Sequence, residues 1–256
     1  MLLRNICTSC ALTAQNLPST RAVRHRLHNR RLPHPTRAWP PMTSIAPSHA
    51  ADPRIADVLS YWLGSAHPDN AGALACKNLW FIKSDATDDQ IRERFGALVE
   101  DALAGQLDGW AGTALGRLAL IVLLDQFTRN LFRGTARSFA GDPQALQLAL
   151  DGIALGHDRH ADLPAVARIF CYLPLEHAED LALQDRSVAA FQALADQAGD
   201  AGGEGVREFL AGTLDYAHRH RDVIVRYGRF PHRNAILGRT STAEELQYLS
   251  QPGSGF

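Results

Sequence analysis

The sequence predicts an all-α fold. From Asp52 onward apolar residues recur three and four positions apart, no segment alternates with period two, and Asn-Gly hairpin turns are absent. Caps, prolines and glycines divide this pattern into about eight helices, read as a single all-helical domain over residues 52–256.

Pro53 opens the first helix, which carries Ile55, Val58, Leu59 and Trp62 and closes at Gly64. Residues 67–85 read as irregular, with Trp80 and Phe81 as an aromatic plug. Thr87 then caps a helix with Asp88 and Asp89 in its first turn, running through Ile91, Phe95, Leu98, Val99 and Leu103 to Gly105. Thr113 opens the most apolar helix, which ends near Gly134 and is apolar on every side for two turns, as a core helix must be. Asp142 and Pro143 cap and start the next, to Gly156. Asp162 and Pro164 start another that meets Pro174 inside it, where the missing N–H bends the axis. Asp185 is read as capping a helix over Val188, Phe191 and Leu194. Residues 199–205 read as a flexible link, and residues 204–227 as a long amphipathic helix. Thr242 and Glu245 form a capping box for a short last helix. No clean internal repeat is visible.

Charge is unevenly distributed. Residues 1–41 hold seven arginines and no Asp or Glu, which leaves 19 basic residues against 27 acidic ones in the remainder. An acidic body argues against broad nucleic-acid binding. Residues 1–51 form a basic tail expected to be disordered. It reads as a transit peptide, placing the protein in a mitochondrial matrix or plastid, or as an over-extended start before Met42, placing it in the cytoplasm. Cys7 and Cys10 make a C-x-x-C in this tail, without the structured context that redox or zinc chemistry needs. The longest apolar run, Leu118 to Leu124, is far short of the roughly 20 residues that span a bilayer.

Three blocks can carry chemistry. In GRLALIVLLDQFTRNLFRG, Asp125 follows the apolar stripe of Leu118, Ile121 and Val122, and Arg129 and Arg133 follow at intervals of four. Asn130 lies beside them. A carboxylate among apolar residues needs a cation, and Arg129 is in reach; the block is either an internal salt bridge or part of an anion pocket. In RIFCYLPLEHAEDLALQD, His177 lies on the stripe of Leu173 and Leu181, flanked by Glu176 and Glu179, and Asp180 is placed to orient its ring. A histidine backed by a carboxylate is either a satisfied core residue or an acid–base group. The long helix supplies Tyr216, His218, His220 and Asp222. His218 and Asp222, four apart, are expected to face inward beside Leu214 and Val225.

The third block, GRFPHRNAILGR, crowds Arg229, His232, Arg233 and Arg239 with Asn234 into a segment punctuated by Gly228, Pro231 and Gly238. So many donors with so few acceptors suit an anion, although arginines after a helix also complement its dipole. Neither Glu-x-x-His nor HExxH occurs, nor do phosphate loops, G-x-G-x-x-G, G-x-S-x-G or paired C-x-x-C motifs, so no metal and no cofactor is predicted.

The strings YWLG, IRERFGALV, GRLALIVLLDQFTRN, YLPLEHAEDLALQ, YAHRHRDVI and GRFPHRNAILGRTSTAEEL, in this order, resemble the domain of unknown function 924 family from about Arg54 to the C-terminus. The resemblance implies a tetratricopeptide-like superhelical array of antiparallel helix pairs, and no activity. The family's motif residues fall on Asp125, Gln126, Phe127, Arg129, Asn130, Pro174, His177, Glu179, Arg229, Pro231, His232, Arg233, Asn234 and Arg239. The chain departs from the family at Thr128, where proline is usual, and at Ala178, where serine is usual.

Two functions are expected from these blocks. In one, Arg129, Asn130, Arg133, His218, Arg229, His232, Arg233, Asn234 and Arg239 hold a small carboxylate or phosphate while His177, Asp125 and Asp180 handle protons. In the other, the helices form a scaffold that binds an acidic peptide in an open groove. Neither reading involves nucleic acid or a membrane, and oligomeric state is not legible.

Overall fold

The computed structural model describes residues 52–197 and 203–255. No strand occurs among them. The basic tail, its cysteine pair and most of the glycine-rich link lie outside these residues.

Helix α1 (Pro53–Leu63) is capped by Asp52, whose carboxylate accepts from Arg54 N, and closes on Gly64 at φ 79°. The stretch expected to be irregular contains two short helices, α2 (Asn70–Ala75) and α3 (Lys77–Phe81). They hold Trp80 against the core, where its indole N–H donates to Trp62 O at 2.7 Å. Helix α4 (Asp85–Leu103) starts one turn earlier than expected, because Ser84 rather than Thr87 accepts the first-turn N–H. Asp88 is thereby moved into the helix and buried.

Thr113 caps α5 (Ala114–Ile121), which continues without a break into a π-helical turn (Val122–Phe127) and α6 (Thr128–Leu131). From Leu118 to Asp125 every residue is buried. Each large apolar side chain so buried contributes about 1.5–3 kcal/mol. Trp62, Phe95, Phe127 and Phe170 pack edge-on and tilted around this helix.

Helix α7 (Asp142–Leu155) starts at Gly141 and closes on Gly156. Helix α8 (Ala165–Glu176) contains Pro174 and ends on His177, and α9 (Leu181–Gln197) follows. The cap of α9 is Asp180, which accepts from Leu183 N at 3.0 Å. Asp185, expected there, instead pairs with Arg221 at 2.6 Å. Helix α10 (Gly203–Tyr227) packs along α9, and α9 along α8. The last helix, α11 (Ala243–Leu249), has the expected capping box. Among the described residues no helix is long and apolar enough to cross a membrane.

Candidate functional site

The π turn brings the first chemical group into place. Such turns add a residue to the helical repeat and recur at functional sites. Here the turn presents Asp125, fully buried. Its Oδ1 accepts from His177 Nδ1 at 2.7 Å and lies 3.2 Å from Arg129 Nη1; its Oδ2 accepts from Gln126 Nε2 at 2.5 Å. Burial works to raise this carboxyl, but the Arg129 charge and the hydrogen bond from His177 outweigh it and hold it well below the usual carboxylate range. His177 is shifted the other way: burial, then repulsion from Arg129, lowers its pKa despite Asp125. The ring is therefore neutral near pH 7, with Nδ1–H given to Asp125 and only Nε2 left for another partner.

Asp142 completes this cluster. It accepts from Arg129 Nη1 at 2.9 Å and Nη2 at 3.1 Å. Its approach depends on Gly141, where an added Cβ would collide with the Leu124 carbonyl inside the π turn. A residue that sequence suggested as a helix cap is thus a pocket carboxylate.

Arg233 comes from the third block. It lies on a short turn, Pro231–Arg233, after α10, and is 7% exposed. Its guanidinium is sandwiched between the rings of Phe139 at 4.7 Å and Phe230 at 4.6 Å. Asp142 is its nearest carboxylate, at 3.6 Å, and among the described residues its guanidinium makes no hydrogen bond. Burial, reinforced by the Arg129 charge, pulls Arg233 down to about 10.

Three further groups face the same place. Glu176, 3% exposed, has one oxygen 3.0 Å from His220 Nδ1 and the other without a hydrogen-bond partner among the described residues. Burial, with Asp125 adding, raises its carboxyl to about 8, so it is protonated near pH 7. His220 is pushed down to about 3 by burial and by His177, and its ring lies 6.2 Å from that of His177. His232 is lowered to about 4, again by burial first and Arg233 second. These groups line a hollow of about 890 Å³, into which Gln126, Arg129, Arg133, Glu176, His177, His220, His232 and Arg233 all project.

The remaining predicted residues lie elsewhere or are already occupied. Asn130 and Arg133 bind Asp88, the latter through two bonds of 2.7 and 2.9 Å; of the two, only Arg133 reaches the hollow. Arg229 forks onto Glu245 at 2.6 and 2.7 Å, and holds that carboxyl down to about 2. Arg239 forks onto Glu179 at 2.6 and 2.9 Å, and Asn234 donates to Ser241 and Glu245. Two of the block's three arginines therefore tie the C-terminal segment to the turn after α8 and to α11. Two expectations are corrected outright. Asp180 is exposed and caps α9, so Asp125, not Asp180, orients His177. His218 and Asp222 are exposed, as is Val225, and His220 is the inward histidine.

From sequence, Glu176 and His220 stand out only as neighbours of the candidate residues, Asp142 only as a helix cap, and Phe139 not at all. A signal existed for His220: it continues the buried series Val206, Leu210, Ala217, His220, Ile224, whereas His218 falls off it. Asp142 and Phe139 carried none, since they approach only through the turn before α7.

Comparison with known proteins adds lineage but no chemistry. A solved structure titled a protein of unknown function, ATU0120 from Agrobacterium tumefaciens, is 40% identical, covering 77% of this chain and 97% of that one, with a TM-score of 0.63. No curated protein matches this chain. The family model described as "Bacterial protein of unknown function (DUF924)" matches residues 58–253, and with three quarters of its length so matched the chain belongs to that family.

Proposed function

We propose that the hollow binds a small organic anion, with Arg233 receiving its charge and the Asp125–His177 pair exchanging a proton with it. The observation that carries this reading is Arg233. Nine-tenths buried, it has no hydrogen-bond acceptor of its own among the described residues and only a distant share of Asp142. Burying an under-paired cation opposes folding, and a carboxylate or phosphate would repay it with charge-assisted bonds.

The acid–base part follows from how the environments push titrating groups apart. His177 is a neutral acceptor oriented by a carboxylate, while Glu176, next in sequence, is a neutral proton donor. Among the described residues no hydroxyl or thiol is hydrogen-bonded to His177, so the pair resembles a general base more than a nucleophile-activating triad. The alternative of an acidic peptide on an open face is less well supported. It needs a row of available cations, and Arg133, Arg229 and Arg239 each carry a carboxylate already.

The test is a thermal-shift screen with carboxylates and phosphates on the wild type and Arg233→Met. A ligand at 100 times its dissociation constant stabilises by about 2.7 kcal/mol. The variant is expected to be as stable as the wild type without ligand, or more so, and to lose the shift. A shift that survives in Arg233→Met removes Arg233 from the site. Calorimetry in two buffers of unequal ionisation enthalpy then reads proton exchange, which His177→Gln is expected to abolish.

A further inference from the structure

The hollow is far larger than an inorganic anion needs. At about 890 Å³ it lies near the top of the range of roughly 300–1,000 Å³ typical of sites for drug-sized molecules. Its lining is also graded along its length. Helix α8 contributes Ile169, Leu173, Glu176 and His177, which lie on one stripe. Eight residues at 1.5 Å rise separate Ile169 from His177, so the stripe is about 12 Å long, apolar at one end and titratable at the other. Helix α10 follows the same order, with Gly205, Phe209, Gly212 and Thr213 ahead of Tyr216 and His220, although Glu208 and, on α3, Lys77 also line that end. At the apolar end Phe209 packs against Trp80 at 6.1 Å and Phe81 at 6.2 Å.

Gly205 and Gly212, the two glycines of α10 that line the hollow, bear on what fills this trough. A glycine inside a helix costs about 1 kcal/mol relative to alanine. At Gly212 an added Cβ would meet nothing within 4 Å, so no packing demand explains it. Its effect is to keep the wall low where the trough passes.

Building on the anion reading above, we propose that the ligand is an amphipathic organic acid. Its carboxylate or phosphate sits at Arg233. An apolar group of several carbons runs between α8 and α10 toward Trp80 and Phe209.

The experiment is a calorimetric titration of the full chain with acetate, hexanoate, octanoate and octan-1-ol, on the wild type, Arg233→Met and Gly212→Leu. Burying each methylene tightens binding by about fourfold at most. Affinity is expected to climb from acetate to octanoate by twofold to fourfold per methylene, with the alcohol at least tenfold weaker than octanoate. Gly212→Leu fills the trough and improves helix propensity, so it is expected to fold, to bind acetate as the wild type does and to lose the gain with chain length. Equal affinity for acetate and octanoate, or undiminished octanoate binding in Gly212→Leu, overturns the apolar tail and leaves the anion site standing. An alcohol that matches octanoate, with Arg233→Met changing neither, overturns the anion site and with it the acid. No binding by any of the four overturns both.

Discussion

Glu176→Gln gives the most direct check on the electrostatics of the hollow. Burial raises the Glu176 carboxyl from 4.5 to about 8. In that interval the native chain keeps a proton that the unfolded chain has released. Its contribution is therefore fully present below pH 4.5 and is lost as pH rises through 8. One proton of difference changes stability by roughly 1.4 kcal/mol per pH unit. The buried histidines act in the opposite sense. His220 and His232, lowered to about 3 and 4, contribute stability that is present above the histidine value of 6.5 and lost as pH falls toward those figures. At pH 6.5 the unfolded histidines are still half protonated, so over pH 6.5–8 they add a rise that the wild type and Glu176→Gln share, and Glu176 is read from the difference between the two. Relative to the variant, the wild type should lose about 1.5–2 kcal/mol across that window. With an m-value at the upper end of about 1–3 kcal/mol/M, the wild-type urea midpoint then falls by about 0.6 M relative to that of the variant. Glutamine preserves the shape and removes the titration, so the Glu176→Gln midpoint should show only the histidine rise over the same window. Wild-type and variant profiles that run parallel would refute the assignment of Glu176 as a buried neutral acid.

Three other outcomes are expected. Asp125→Asn leaves Arg129 and His177 without their buried carboxylate and should destabilise by about 3–5 kcal/mol; the His177 pKa, followed by NMR, should fall further, and a rise would contradict the pairing. Gly141→Ala forces a methyl into the Leu124 carbonyl and should cost about 3 kcal/mol in urea unfolding, at the upper end for overpacking, while also displacing Asp142 from Arg129. Asp180→Ala should lose only a helix cap, about 1 kcal/mol, and leave both ligand binding and the His177 titration unchanged; a change in either would return Asp180 to the site.

Much of the fold is carried by local signals. Asp52-Pro53, Thr113, Gly156 and the Thr242–Glu245 box mark real helix ends because a cap satisfies N–H groups within a few residues of itself. Boundaries shifted where two candidates competed. Ser84 displaced Thr87, and Asp180 displaced Asp185, because the earlier residue could already supply the acceptor. Asp142 shows the limit of such reasoning: it sits where a cap belongs, yet its carboxylate turns away to Arg129.

What the sequence determined by itself is the helical class, the burial of the Leu118–Asp125 stretch and the reach of Arg129 to Asp125, since periodicity and the need to neutralise a buried charge act over one or two turns; His177 joins them only in the tertiary structure, across 52 residues. Only the tertiary structure decided which cations are already paired. Glu245 and Glu179 claim Arg229 and Arg239, while Arg233, a few residues away, is left between two aromatic rings. That division depends on the directions from which α8, α11 and the turn before α7 approach one another. Those directions are set by packing across 16 to 91 residues of chain, which no local pattern encodes.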